Sequence, residues 1–185
     1  MYHNQDIIER LKKGNETYLS AAANPGDVSP AIRKDTTVNG QHPYAIVVCC
    51  SDSRVVPEAI FSAGIGEIFV IRAAGNVINN TQLGSIQYAA GHLGCKVIIV
   101  LGHTHCGAVG ASLQGGGHGF VKFLTDDIIA AIGGEKDEYK ASCLNARAGV
   151  EKIKSALADD PESLTPTTDV IAAIYDIEDG HVDWL

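Results

Sequence analysis

The sequence offers little that would carry it to a nucleic acid or a membrane. It has 14 Lys and Arg against 22 Asp and Glu, a formal net charge of -8, and no basic run. A phosphate backbone or an anionic bilayer surface calls for the opposite balance. No apolar stretch approaches the roughly 20 residues needed to span a bilayer. The opening Met1-Tyr2-His3-Asn4-Gln5-Asp6 lacks a basic-then-apolar secretory pattern, so a cytoplasmic location is expected. Cysteine is scarce too: five residues, an odd number, with no Cys-x-x-Cys. That argues against a disulfide scaffold and against a dithiol redox enzyme, and leaves reduced thiols free to bind metal.

What is present describes one compact domain, 1–185. Hydrophobic residues make up 45% of the chain and charged ones only 19%, enough for a sizeable core. Ile7, Ile8, Leu11, Tyr18 and Leu19 recur at helical spacing and predict an amphipathic helical arm over 1–20, with Gly14 a weak point in it. Residues 21–43 turn polar and read as a long connection. Three apolar runs follow, at 44–49, 68–71 and 97–101; Val and Ile without alternation suit strands buried on both faces of a parallel sheet. Residues 81–93 suit a crossover helix capped by Thr81. Further helices are expected at Val121–Ile132, stopped by Gly133-Gly134, and at 142–157. Residues 170–175 form another strand, and Asp179-Gly180 turns the chain back into a short edge. The fold class is therefore α/β: a mainly parallel sheet of four strands plus a short antiparallel edge strand, flanked by helices. Gly115-Gly116-Gly117 follows no strand and precedes no Gly-Lys-Ser/Thr, so it is not a phosphate-binding loop.

Two short segments carry the chemistry. Cys50-Ser51-Asp52-Ser53-Arg54 follows the first predicted strand, and His103-Thr104-His105-Cys106 follows the third. Ligands of open α/β sheets bind outside the carboxyl ends of the strands, so both segments converge on one place. Together they supply two thiolates and an imidazole, donors that suit zinc and leave its fourth position open, as catalytic sites do. Cys49 points the opposite way along a strand, and as small buried hydrophobes Cys95 and Cys143 need no ligand role. Asp52 and Arg54 stand where they can handle a metal-bound water. Taken singly, Asp52 and Ser53 suit a helix cap and Arg54 a surface charge. Taken together, the paired motifs point to an enzyme that uses one zinc per chain to make hydroxide.

These segments, with Gly102 before the second and Gly107-Ala108-Val109 after it, closely resemble the signature of the β-class carbonic anhydrases. Leu11 with Gly14-Asn15, and Phe69-Val70-Ile71-Arg72 with Gly75-Asn76, extend the likeness along the chain. The resemblance implies zinc on Cys50, His103 and Cys106, and reversible hydration of carbon dioxide to bicarbonate and a proton by zinc-bound hydroxide. It implies that Asp52 accepts a hydrogen bond from that hydroxide and that Arg54 keeps Asp52 ionised. It further implies a plant-type substrate pocket, with Gln41 as amide donor, Phe69 and Tyr88 as aromatic walls, and Gly107 beside the last ligand. His92, on a helix face with Tyr88, and His105, between the ligands, are candidate proton shuttles. The family assembles as homodimers or dimers of dimers with pockets at the interface, so Gln41, Phe69 and Tyr88 would come from a neighbouring subunit. Val47 stands where the bicarbonate-inhibited branch carries a tryptophan, so that inhibition is not expected.

Two other readings compete. A sister hydrolase of the same family attacks carbonyl sulfide or carbon disulfide with the same chemistry, and Gln41 with its aromatic walls favours carbon dioxide. A non-catalytic zinc-binding protein on this fold should have lost Asp52 or Arg54, and this chain keeps both.

Overall fold

Val and Ile dominate the segments that pair into a sheet. Strands β1 (Ala45–Cys49), β2 (Ile68–Arg72), β3 (Val97–His103) and β4 (Asp169–Tyr175) run parallel, and β5 (Val182–Trp184) returns antiparallel along β4. Their spatial order is β2-β1-β3-β4-β5. The computed structural model describes residues 3–21, 23–158 and 167–185. Met1 and Tyr2, which open the expected arm and the amino-terminal reading, lie outside the described residues. Every residue of β1 and β3 is buried, which is why these strands show no polar alternation.

Helices cover both faces. In chain order they are α1 (Asn4–Ser20), α2 (Pro30–Asn39), α3 (Pro57–Ile60), α4 (Asn80–Gly91), α5 (Gly107–Leu113), α6 (Val121–Ile132) and α7 (Glu138–Ala156). Successive strand residues point to opposite faces. Val47, Cys49, Val97, Ile99 and Leu101 therefore pack toward Ile7, Ile8 and Leu11 of α1 and Phe61 beyond α3. Ile46, Val48, Ile98, Val100 and Ile174 pack toward Ile86 and Ala89 of α4 and Ala146 and Ile153 of α7.

The first helix lies on the sheet of its own chain and runs unbroken through Gly14. Glycine serves close approach there, because a Cβ would run into the Phe61 carbonyl oxygen. The neighbouring Asn15 is buried. Its Nδ2 donates to the Gly180 carbonyl at 2.9 Å and its Oδ1 accepts the Val182 N–H at 3.1 Å, tying α1 to the turn before β5.

The expected connection at 21–43 contains a helix, α2, with Ser29 as cap, Pro30 opening it and Gly40 closing it at φ 78°. None of its residues is buried, so no apolar periodicity announced it. The cap of α4 is Asn79, whose Oδ1 accepts the Thr81 N–H at 2.9 Å, and not Thr81. Helix α7 begins four residues before the predicted start, capped by Asp137, whose Oδ1 accepts the Lys140 N–H at 2.8 Å. Helix α6 has its predicted bounds, and Gly133 ends it in the left-handed region at φ 58°. Among the described residues no helix is long and apolar enough to cross a membrane.

Candidate metal centre and active site

The sheet topology opens a crevice at one end. Strands β2 and β3 flank β1 on opposite sides, so the loops leaving β1 and β3 diverge from neighbouring strands. Cys49 is in register with Leu101, so Cys50 and His103 leave the sheet together, and Cys106 forms the cap of α5. The ligating atoms of Cys50, His103 and Cys106 lie within 4.8 Å of one another, and all three residues are buried. The structure thus gathers the predicted ligand set.

Its donors suit a metal ion. The Thr104 carbonyl lies 2.8 Å from His103 Nδ1, and because a carbonyl only accepts, Nδ1 carries the proton. That leaves Nε2 with a bare lone pair, buried and without a hydrogen-bond partner. An orphaned buried acceptor beside two sulfurs is costly unless something electropositive fills the gap. Cys50 Sγ accepts the N–H groups of Gly75 at 3.2 Å and Asp52 at 3.4 Å. Its thiol sits below its ordinary value, chiefly through a hydrogen bond from Cys106, with the Asp52 and Gly75 amides adding to the effect. Cys106 is pushed up by its neighbour Cys50 and by burial. A divalent cation takes both sulfurs as thiolates, so its binding here would release a proton. Cys49 behaves as core: burial raises its thiol to about 12.

The loop after β1 is braced from three sides. Gly75 has φ 66° in a 3₁₀ turn at Ala74–Asn76, and a Cβ there would stand 2.7 Å from Ile128 Cδ1. Its carbonyl accepts Asn145 Nδ2 at 2.8 Å, so α7 steadies the amide that meets Cys50. Arg72 donates Nε to the Cys50 carbonyl at 3.1 Å and Nη2 to the Asp52 carbonyl at 2.6 Å. Arg54 grips Asp52 through both carboxylate oxygens, at 2.9 Å and 2.7 Å, and Asp52 Oδ1 also accepts the Arg54 N–H at 2.9 Å. These bonds hold the Asp52 carboxyl well below the usual range, led by the Arg54 side chain. The next helix, α3, is capped at Val56, so Asp52 and Ser53 do not serve as its cap.

The remaining predicted site residues fall in two places. Gly107 opens α5 beside Cys106, and His105, at φ 54°, carries an exposed ring 4.0 Å from the Glu138 carboxylate. Gln41, Phe69, Tyr88 and His92 do not join the ligands. Gln41 is exposed in the loop before β1; Phe69 lies on β2, its ring centroid 6.2 Å from that of Tyr88; and Tyr88 meets His92 edge-on at 5.3 Å. Cys95 is buried and donates to the Pro43 carbonyl at 3.2 Å, whereas Cys143 is only half-buried. Sequence reading missed the bracing by Arg72, Asn145 and Thr104, since each acts on or through a backbone atom.

A family model for carbonic anhydrase matches residues 45–182. A carbonic anhydrase of Mycolicibacterium smegmatis is 35% identical over 187 residues, covering 94% of this chain and 89% of that protein. The β-carbonic anhydrase CafA of Aspergillus fumigatus superposes with a TM-score of 0.75 at 26% identity, over 84% of this chain and 81% of that one. One of two tetrameric β-carbonic anhydrases of Sordaria macrospora shares the fold at a TM-score of 0.70 and 23% identity, over 84% and 87% of the two chains. The chain belongs to the carbonic anhydrase family, and within it to the β class.

Proposed function

We infer that the protein is an enzyme catalysing the reversible hydration of carbon dioxide to bicarbonate and a proton, with one zinc ion held by Cys50, His103 and Cys106. The observation that carries this reading is the bare, buried Nε2 of His103 within 4.8 Å of two cysteine sulfurs. Zinc, when bound, lowers the pKa of water by several units, and because two thiolates offset its charge the hydroxide forms at mildly alkaline pH. Asp52, kept ionised by Arg54, is an acceptor for the proton of the attacking oxygen and orients that oxygen's free lone pair toward the substrate carbon. So low a carboxyl pKa makes Asp52 an orienting acceptor and not a store for the released proton. Arg54 also donates to the His105 carbonyl at 3.1 Å, locking the loop of Cys50 to the loop of His103 and Cys106.

Gln41, Phe69 and Tyr88 complete the substrate pocket from a second copy of the chain. Tyr88 is 46% exposed on α4, which supports a surface that meets a partner. The Sordaria relatives are tetrameric, which favours a homodimer or a dimer of dimers here. His92, exposed beside Tyr88, and His105, exposed between the ligands, are the candidates to pass the released proton to buffer. Five free cysteines fit a reducing, cytoplasmic setting.

Stopped-flow hydration with a pH-indicator dye on zinc-loaded protein, from about pH 6.5 to 9, tests the function. A zinc-dependent rate that rises with pH is expected. Zinc-loaded protein that leaves carbon dioxide untouched but hydrolyses carbonyl sulfide would replace this reading with that of the sister hydrolase.

A further inference from the structure

We propose that Thr104 is a positioning residue for the metal ligand His103, and that the turn between β4 and β5 acts on the metal centre through it. The inference rests on the zinc reading above.

Four contacts converge on Thr104. Its N–H donates to the Tyr175 carbonyl at 3.0 Å, at the end of β4 where Tyr175 is in register with His103. Its Oγ1 accepts the Ile177 N–H at 3.0 Å and donates to Asp176 Oδ1 at 3.3 Å. Its own carbonyl accepts the His103 Nδ1 proton at 2.8 Å. With the residue pinned at its amide and its hydroxyl, the carbonyl has little freedom. That carbonyl decides which ring nitrogen is protonated and how the ring stands, and so presents Nε2 bare.

The anchor is itself rigid. Asp176 Oδ1 also accepts the Glu178 N–H at 2.8 Å, and the Asp176 carbonyl accepts the Gly180 N–H at 2.9 Å. Asn15 of α1 holds Gly180 and Val182, and Tyr18 meets Tyr175 hydroxyl to hydroxyl at 3.0 Å. Helix α1, the turn and Thr104 therefore form one hydrogen-bonded path to the imidazole, lying wholly outside the ligand set.

The test compares Thr104→Val, which keeps the shape and loses the hydroxyl, with Thr104→Ser, which keeps the hydroxyl. Zinc affinity is read by competition with a chromogenic chelator, and ligand geometry by the visible spectrum of the cobalt-substituted protein. Circular dichroism of the metal-free proteins checks the fold. Thr104→Val is expected to weaken zinc binding by about 10- to 100-fold and to alter the cobalt spectrum. Thr104→Ser is expected to match the wild type in both, an outcome that stands even where the Val variant does not fold. Wild-type affinity in Thr104→Val, or an equal loss in Thr104→Ser, overturns the proposal. Wild-type protein that binds no zinc overturns the metal reading along with it.

Discussion

The Arg54 guanidinium meets Asp52 fork to fork, Nε to Oδ1 at 2.9 Å and Nη2 to Oδ2 at 2.7 Å, while the same Nη2 reaches the His105 carbonyl at 3.1 Å. One planar cation thus orients the carboxylate and joins the two ligand loops. A lysine keeps the charge but cannot make the fork. Arg54→Lys should therefore lower kcat/KM about 10- to 100-fold, as misalignment of a catalytic group does. Zinc content should hold, since Arg54 touches no ligating atom. Stopped-flow kinetics with metal analysis on the same sample checks both, and unchanged kinetics would remove Arg54 from the mechanism.

The pH profile separates Asp52 from the group that titrates. Asp52 is depressed below its ordinary value of 3.8, mainly by Arg54. For a depressed carboxyl, the stabilising ionised form is fully present above the ordinary value and is lost only as pH falls through the lowered one. Asp52 is therefore ionised throughout neutral and alkaline pH. Asp52→Asn should cut the hydration rate while the alkaline rise persists, its midpoint lowered because a negative charge beside the titrating group is gone. Loss of the rise altogether would assign that titration to Asp52.

Strands β1 and β3 were legible because burial on both faces leaves only Val, Ile and their kin, and helix α6 because Gly133 marks its end. Helix α2 was not, since it buries no residue and so carries no apolar stripe. Asn79 and Thr81 are both good caps, and only the backbone path decides between them. The same divide runs through the site. Cys50, His103, Cys106, Asp52 and Arg54 act through side chains whose chemistry is written in their identity. Arg72 acts on the carbonyls of Cys50 and Asp52, and Thr104 acts through its own carbonyl, and a backbone acceptor leaves no mark on the sequence.

Gly75 links packing to the metal centre. Its φ of 66° lies in the left-handed region, and a Cβ would stand 2.7 Å from Ile128 Cδ1 and 2.9 Å from Ala108 Cβ. Gly75→Ala should destabilise the fold by about 1–3 kcal/mol, from backbone strain with the clash added. It should also weaken zinc binding, because the N–H that meets Cys50 Sγ moves with the turn. Gly84→Ala in α4 is the comparison for the isolated chain: beyond its own helix and neighbours nothing lies within 4 Å of the added Cβ, so helix propensity should raise the stability of the single chain slightly. Urea denaturation should show opposite signs for the two variants, and equal signs would separate Gly75 from backbone strain.

Phe69 is in register with Ile46, four residues before Cys50. At the rise of a parallel strand that is about 13 Å along the sheet, too far for the ring to wall the metal centre of its own chain. Pairing impaired chains tests whether the wall comes from a second subunit. Asp52→Asn keeps the Tyr88 wall and Tyr88→Ala keeps Asp52. In a hybrid dimer with shared pockets, one site then combines an intact Asp52 with an intact Tyr88. The other site carries both defects. Mixing the two variants under conditions that exchange subunits should give hydration activity above that of either parent. A pocket built from a single chain has one defect in every site of the mixture, so activity would stay between those of the parents. Recovery would place Tyr88 of one copy beside the metal ligands of another, while its absence after proven exchange would put the whole pocket in one chain.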